Sequence, residues 1–69
     1  MSSAFEFKIV EEIATLATHG AWTLELNRVS WGGRPATYDL RRWAPDHEKA
    51  GKGLTLSEDE LHALVEAVA

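Results

Sequence analysis

Cations and aromatic rings are concentrated in the middle of this 69-residue chain. Residues 28–52 hold six of the seven Lys and Arg side chains and carry a net charge of +3, while residues 1–27 carry −3 and residues 53–69 carry −4. Trp31 and Trp43, two of the three tryptophans, lie in the same central segment. Cations beside flat rings are typical of proteins that hold single-stranded nucleic acid, because the cations contact phosphates and the bases stack on the rings.

Patterns typical of catalysis or metal binding are missing from the sequence. No nucleophile-elbow, Ser-x-x-Lys or phosphate-loop motif occurs, and the histidines at 19, 47 and 62 lack metal-ligand spacing. His47 lies between Asp46 and Glu48 in a segment that reads as a loop, where we expect a solvated side chain. The sequence therefore predicts a protein that is not an enzyme and that has no cofactor and no metal.

Size and composition predict one soluble domain, residues 1–69, that associates with a second copy. The composition, 45% apolar and 26% charged, is that of a globular protein. A core this small usually needs additional stabilisation from disulfides, a metal or a second chain. Because the sequence has no cysteine, we expect association with a second chain to provide it. The N-terminal residues do not resemble a signal peptide, and no apolar run is long enough to span a membrane. We expect a cytoplasmic homodimer, with association with the nucleoid left open.

Alternating apolar and polar residues predict three strands in the first two thirds of the chain. The first breaks its alternation at Val10–Glu12, which predicts a bulge. In the second strand, the apolar residues change from even positions (Leu24, Leu26) to odd positions (Val29, Trp31). If all four are to lie on one face, the strand must have a kink near residues 27–28, which we therefore predict. We place the strands at residues 5–18, 22–31 and 36–43, with a hairpin turn at residues 32–35 that relies on adjacent glycines.

The last third predicts an irregular loop over residues 44–53, a brief strand over residues 54–56 and a helix. Ser57 and Glu60 have the spacing of a capping box. Apolar residues at Leu61, Leu64, Val65 and Val68 follow a helical period to the end of the chain. The predicted fold class is α+β: a four-stranded antiparallel sheet followed by one C-terminal helix, with the apolar helix face as the dimer interface.

Strand alternation also predicts which tryptophans are exposed. Trp43 shares a face with Asp39 and Arg41, opposite Leu40, so we expect it to point away from the core. Trp31 lies beside the glycine turn and is expected at an exposed tip, while Trp22 is the best candidate for a core ring. The alternative is that any of these rings is ordinary packing and that the arginines of the third strand are surface charges on an edge strand.

The helix argues against reading of duplex DNA, because it is acidic and its apolar face is occupied. Two alternatives to single-stranded DNA stay open. The exposed Trp and Arg side chains could form a protein interaction surface of the transcription machinery. RNA could also be bound, because stacking surfaces accept either sugar.

The chain resembles the transcriptional coactivator family called positive cofactor four (PC4, p15), and most closely its small bacterial members. The segments that carry the resemblance are Leu26–Trp31, Tyr38–Asp46 and Gly51–Ser57. The resemblance extends over nearly the whole chain. It implies a strongly curved four-stranded antiparallel sheet and a dimer formed through the helices. It also implies binding of single-stranded DNA in two antiparallel channels, with little sequence preference, in transcription, replication or repair.

The resemblance also implies roles for individual residues. Trp31 and Trp43 match the base-stacking aromatic residues of the family, and Arg28, Arg41 and Lys52 match its phosphate-contacting cations. The resemblance does not extend to the serine-rich and acidic regulatory tail of the eukaryotic coactivator, and the loop at residues 45–52 is shorter and less basic than in the eukaryotic form. The candidate nucleic-acid-binding residues are Lys8, Trp22, Arg28, Trp31, Arg34, Arg41, Trp43 and Lys52, with Lys8 a looser match and Trp22 without a firm counterpart.

Overall fold

Four antiparallel strands followed by one helix form the protein, which confirms the predicted ββββα order. The computed structural model describes residues 6–69, so Phe5, where the first strand was predicted to begin, lies outside the described residues. Each strand pairs with the next along the chain, in the order β1-β2-β3-β4. The elements are β1 (Phe7–His19), β2 (Trp22–Trp31), β3 (Thr37–Trp43), a 3₁₀ turn (Pro45–His47), β4 (Ala50–Leu56) and α1 (Glu58–Val68).

Strand β1 carries three bulges, one of which was predicted. Its register against β2 shifts between Ile9 and Glu11, between Glu12 and Ala14, and between Thr15 and Ala17. Each shift inserts one extra residue, which increases the local bend and twist of the strand. The extra residues are Val10, Ile13 and Leu16, and all three side chains are exposed.

The pairing of β2 with β3 is regular from Thr23 to Val29, so the kink predicted near residues 27–28 is wrong. Side chains simply alternate along β2, and Val29 lies on the face opposite Leu24 and Leu26. The polar residues Glu25 and Asn27 are buried on the same face as Val29, which is why a hydrophobic pattern alone suggested a change of phase.

The two faces of the sheet differ in chemistry, and the pairing defines which residues share a face. One face combines aromatic and hydrogen-bonding side chains, and we call it the aromatic face. The other is rich in leucine, and we call it the leucine face. The aromatic face comprises Phe7, Ile9, Thr23, Glu25, Asn27, Val29, Trp31, Thr37, Asp39, Arg41, Trp43 and Thr55; the leucine face comprises Lys8, Trp22, Leu24, Leu26, Arg28, Tyr38, Leu40, Arg42, Leu54 and Leu56.

Burial reverses two predictions about tryptophan. Trp43 is 0% exposed and lies in the core, whereas Trp22, the predicted core ring, is 37% exposed. The reason is that the most buried face of the sheet is the aromatic face, to which Trp43 belongs, while Trp22 begins β2 on the leucine face. Within the described residues, the buried apolar side chains are Val29, Trp43 and Ala44.

Glycines occupy two places in the sheet where a side chain would be unfavourable, the hairpin turn and a close approach between β3 and β4. Gly32 and Gly33 have φ angles of 59° and 80°, so the predicted hairpin turn is confirmed. Strand β4 begins at Ala50, four residues earlier than predicted, and contains a bulge opposite Arg42. A Cβ atom on Gly53 would lie 2.6 Å from the Cα atom of Arg41, so no other residue fits there without a backbone shift.

Helix α1 begins with the predicted capping box. The Ser57 hydroxyl accepts a hydrogen bond from the Glu60 amide at 3.1 Å, and the Glu60 carboxylate accepts one from the Ser57 amide at 2.8 Å. The helix contacts β3 and β4 of its own sheet. On its apolar side Leu64, Val65 and Val68 remain exposed.

Candidate nucleic-acid interface

An aromatic cluster occupies the aromatic face near the Gly32–Gly33 turn. The rings of Trp31 and Trp43 are parallel, with an interplanar angle of 3° and centroids 6.3 Å apart. Phe7 lies across both, with its ring centroid 5.6 Å from that of Trp31 and 5.0 Å from that of Trp43. Phe7 and Trp31 are neighbours because they pair across the β1–β2 ladder, whereas Trp43 pairs with Thr23 near the start of β2 and meets both rings on the aromatic face.

Trp43 is the buried base of this cluster. Its outer neighbour is His47, whose ring meets the indole edge-on at a centroid distance of 5.1 Å. The indole Nε1 of Trp43 is buried and has no hydrogen-bond partner in residues 6–69. The prediction that Trp43 points outward is therefore wrong for this structure, and a base cannot reach its ring here.

Trp31 is half-buried and is held in place by two side chains of β3. Its Nε1 donates a hydrogen bond to the Asp39 carboxylate at 3.3 Å. The Arg41 guanidinium carbon lies 4.8 Å from the Trp31 ring centroid, within the range of a cation–π contact. The orientation of Trp31 is thus fixed before any ligand binds.

Arg41 has protein partners for much of its guanidinium group. Its Nε and Nη2 donate to the buried Asp39 carboxylate at 3.0 Å, and its Nη1 donates to the Gly51 carbonyl at 3.0 Å. The side chain is 16% exposed, and Asp39 is fully buried. Strand β3 lies between β2 and β4, so the alternative that Arg41 sits on an edge strand is wrong. The Asp39–Arg41 pair therefore contacts Trp31 on one side and the Gly51 carbonyl of the β4 bulge on the other.

A second polar group on the aromatic face centres on Glu25. Its carboxylate accepts hydrogen bonds from the Thr23 hydroxyl at 2.6 Å and the Asn27 amide at 2.9 Å, and His47 Nε2 lies 2.9 Å from Oε1. Burial alone would raise the pKa of Glu25, but the hydrogen bonds from Asn27, Thr23 and His47 outweigh it and hold the pKa below its ordinary value. An ionised carboxylate only accepts, so His47 Nε2 carries a proton in this contact. His47 is therefore not the solvated loop residue predicted from sequence.

An open cleft of about 380 Å³ adjoins the aromatic cluster at the hairpin end of the sheet. Trp31 and Pro35 supply apolar surface, Thr37 and Thr55 supply hydroxyl groups, and Arg34 supplies a cation. Arg34 is exposed, and within residues 6–69 it takes part in no ion pair. A flat ring with a free cation beside it is an arrangement that can hold a base and its phosphate.

The other predicted site residues lie apart from this cleft. Lys8, Trp22 and Arg28 belong to the leucine face. Arg28 pairs with the Glu11 carboxylate at 3.7 Å and lies 5.9 Å from the Tyr38 ring centroid. Lys52 is exposed in the β4 bulge. The structure brings together Trp31, Arg34, Arg41 and Trp43 and places the remaining candidates elsewhere.

Sequence reasoning missed the parts played by Phe7, Asp39 and His47. Asp39 is two residues before Arg41 in a strand, so alternation alone places both on one face. Phe7 carried the same signal, because it alternates with Ile9 at the start of β1. His47 gave no such signal, because its position depends on φ angles of 58° and 56° at Asp46 and His47, which are uncommon outside glycine.

Features of other kinds of site are absent from the described part of the chain. No group of three or more His, Asp or Glu side chains in residues 6–69 could hold a metal ion. The 11-residue helix α1 is too short to cross a bilayer, and no other α-helix occurs in these residues.

Two comparisons with known proteins bear on this interface. The family model described as Transcriptional Coactivator p15 (PC4) matches residues 19–67, which include β2, β3, β4 and most of α1. A protein of Treponema pallidum (strain Nichols), described as uncharacterized, is 48% identical over 61 residues. That match covers 87% of this chain and 72% of the Treponema protein.

Proposed function

This chain belongs to the Transcriptional Coactivator p15 (PC4) family, and from that premise we propose that it binds single-stranded DNA as a homodimer with little sequence preference. The family binds nucleic acid, is not enzymatic and has roles connected with transcription. The observation that carries the proposal is the half-exposed Trp31 ring, fixed by Asp39 and Arg41 beside a cleft that contains Arg34, a cation that forms no ion pair within residues 6–69.

Trp31 is proposed as the first stacking surface for a base. Stacking on an aromatic ring stabilises a bound base by about 1–3 kcal/mol and works for every base, because each has a flat π face. The residues around the cleft contribute a proline, two threonines and an arginine. This small set of polar groups favours tolerance of sequence over base-specific readout.

Phosphates are proposed to lie along the cations that have no carboxylate partner. Arg34 adjoins Trp31 and Lys52 is exposed in the β4 bulge, and within residues 6–69 neither forms an ion pair. Lys8 and Arg28 lie on the leucine face, so they are not proposed to contact a strand that is bound at Trp31. Arg41 is proposed chiefly to hold Trp31 in place, with a phosphate contact as a secondary role.

Dimerisation is proposed through the apolar side of α1. Leu64, Val65 and Val68 are 44%, 54% and 77% exposed, so the described residues 6–69 leave much of the apolar side of the helix uncovered. Leu54 on the leucine face is also 51% exposed. A second copy that meets these side chains about a two-fold axis would bury them in both protomers and enlarge a core that is small for independent stability.

The dimer is tested by sedimentation equilibrium of the full chain and of Val65→Glu. We expect the unchanged chain to sediment as a dimer and Val65→Glu to shift to monomer, because a carboxylate buried at the interface has no partner. His62→Glu adds the same group beside the apolar side of the helix and is the matched control, which should stay dimeric. A monomeric unchanged chain would contradict the dimer.

DNA binding is tested by fluorescence anisotropy with labelled oligo-dT, a duplex of equal length and oligo-U at two salt concentrations. We expect oligo-dT to bind, the duplex to bind much more weakly, and the affinity to fall as salt rises because phosphate contacts release counterions. Equal affinity for duplex and single strand would contradict the proposal. Tighter binding of oligo-U would move the assignment to RNA.

A further inference from the structure

The segment Pro45–Lys49 closes over Trp43. It is pinned at its base by the Ala44 amide, which donates to the Lys49 carbonyl at 3.0 Å. His47, in the middle of the segment, sits edge-on to the indole ring. Trp43 and Ala44 beneath it are buried, whereas Pro45, Asp46, Glu48 and Lys49 are exposed. Backbone hydrogen bonds give the segment its local shape, and the His47 side chain joins it to Trp43 and, through Glu25, to β2.

One contact latches this cover to the sheet. His47 Nε2 lies 2.9 Å and 3.1 Å from the two carboxylate oxygens of Glu25, a residue of β2 far away in sequence. Thr23 and Asn27 hold the same carboxylate in place. A cavity of about 220 Å³, lined by Glu25, Asn27, His47 and residues 12–15, adjoins the latch and leaves room for the imidazole to move.

The closed arrangement carries two local costs. Asp46 and His47 both have φ angles in the left-handed region, which is unfavourable for residues other than glycine. The Trp43 indole N–H is buried and finds no acceptor among residues 6–69, which is also unfavourable. Movement of the segment away from the sheet would relieve both, because the backbone could relax and water or a ligand could accept from the indole.

We propose that Pro45–Lys49 is a lid that closes over Trp43 in the free protein and opens when a base replaces His47 against the indole ring. This inference rests on the proposed binding of single-stranded DNA. It reconciles the burial of Trp43 with a stacking role for that residue, since the open lid would add a second ring to the Trp31 site. The His47–Glu25 latch then sets the affinity, because a ligand that needs the open state binds more weakly by the fraction of protein that is open.

The lid itself is tested without DNA. In a Trp22→Phe, Trp31→Phe background, Trp43 is the sole tryptophan, and acrylamide quenching measures its exposure. We expect weak quenching in this background and clearly stronger quenching when His47→Ala or Glu25→Gln is added. Glu48→Gln is the matched control, because it removes the same charge as Glu25→Gln from an exposed position of the lid and should leave quenching unchanged.

The gating role is tested with labelled oligo-dT and chains that keep all three tryptophans. Loss of a hydrogen bond to a charged group corresponds to roughly a tenfold shift of an equilibrium, so His47→Ala and Glu25→Gln should bind about tenfold more tightly. Glu48→Gln should show the small gain expected from its charge alone. Circular dichroism spectra establish whether His47→Ala and Glu25→Gln are folded. If His47→Ala does not fold, Glu25→Gln still tests the lid.

Three outcomes decide the inference. Quenching and affinity that rise together in the latch variants, and not in Glu48→Gln, support the lid. Quenching that is the same in all variants overturns it, and so does stronger quenching with unchanged or weaker DNA affinity. Failure of the unchanged chain to bind oligo-dT overturns the proposed function separately, and the quenching series in DNA-free protein then still decides whether the segment is a lid.

Discussion

The rings of Trp31 and Trp43 lie parallel with centroids 6.3 Å apart, yet Trp31 reaches solvent while Trp43 is completely buried. Two residues that are predicted to share a base-stacking role therefore differ in what they offer a ligand. Trp31 is accessible in the free protein, and Trp43 supports it from below. This difference explains why substitution of Trp31 should affect mainly DNA binding, whereas substitution of Trp43 should first of all lower the stability of the fold.

Trp31→Ala should weaken binding of oligo-dT about tenfold, because one stacking surface is lost. The ring is half-buried at the edge of the cluster, so the fold should survive. Trp22→Ala is the comparison, since Trp22 is 37% exposed on the opposite face and its loss should leave the affinity nearly unchanged. Anisotropy titrations of both variants check this, and a larger loss for Trp22→Ala would place the DNA on the leucine face instead.

Trp43→Ala should lower the free energy of unfolding by about 3–5 kcal/mol, as removal of a large buried ring does in other cores. Phe7 and Trp31 would both lose a neighbour at the base of the cluster. Urea denaturation followed by circular dichroism measures the change. A stable Trp43→Ala variant with reduced DNA affinity would mean that the ring is a surface contact and not a core residue.

Arg41→Lys should destabilise the fold by about 1–3 kcal/mol, because a lysine keeps the charge but cannot form the paired contacts with Asp39 and Gly51. Arg42→Lys, one position along the same strand on the opposite face, should change stability by less than about 0.5 kcal/mol. Thermal and urea unfolding of the two variants compares them directly. Arg41→Lys that unfolds like the unchanged protein but binds DNA poorly would identify Arg41 as chiefly a phosphate contact.

Acid should destabilise the protein through Glu25. Since its pKa is lower in the folded state than its ordinary value, Glu25 stabilises the fold above the ordinary glutamate pKa of about 4.3. That contribution disappears as the pH falls through the lower, folded-state pKa. Urea unfolding between pH 3 and 7 should therefore show a flatter acid limb for Glu25→Gln, while Glu48→Gln follows the unchanged protein. Equal slopes for Glu25→Gln and the unchanged protein would contradict the hydrogen-bonded role of this carboxylate.

Local patterns predicted much of the fold. Alternation located β2 at its observed bounds, the adjacent glycines located the hairpin turn, and the capping box located the start of α1. Each of these signals acts over a few neighbouring residues, so it can be read before any tertiary contact is known. The remaining two bulges of β1 gave no such signal, because a bulge depends on the register of the partner strand.

The site was less predictable for a related reason. Alternation correctly placed Trp43 with Asp39 and Arg41, but the inference that this face lies away from the core failed, because the face is buried through polar pairs. Asp39 and Arg41 satisfy one another's charges and hydrogen bonds, and the Glu25 carboxylate is hydrogen-bonded by His47, so polar residues occupy positions that a hydrophobic pattern assigns to the surface. The spacing of Asp39 and Arg41 within one strand does indicate that they share a face. The contact of Glu25 with His47 can be recognised only when the three-dimensional structure is known.

Binding of single-stranded DNA on the aromatic face at Trp31 is the proposal on which the binding predictions depend. Its most direct test is an NMR titration that follows the indole N–H signals of the three tryptophans in ¹⁵N-labelled protein as oligo-dT is added. We predict that the Trp31 signal shifts, because its Nε1 donates to Asp39 inside the proposed site, and that the Trp22 signal stays in place. Opening of the Pro45–Lys49 lid would shift the Trp43 signal together with that of Trp31. A Trp22 signal that shifts while the Trp31 signal does not would contradict the account.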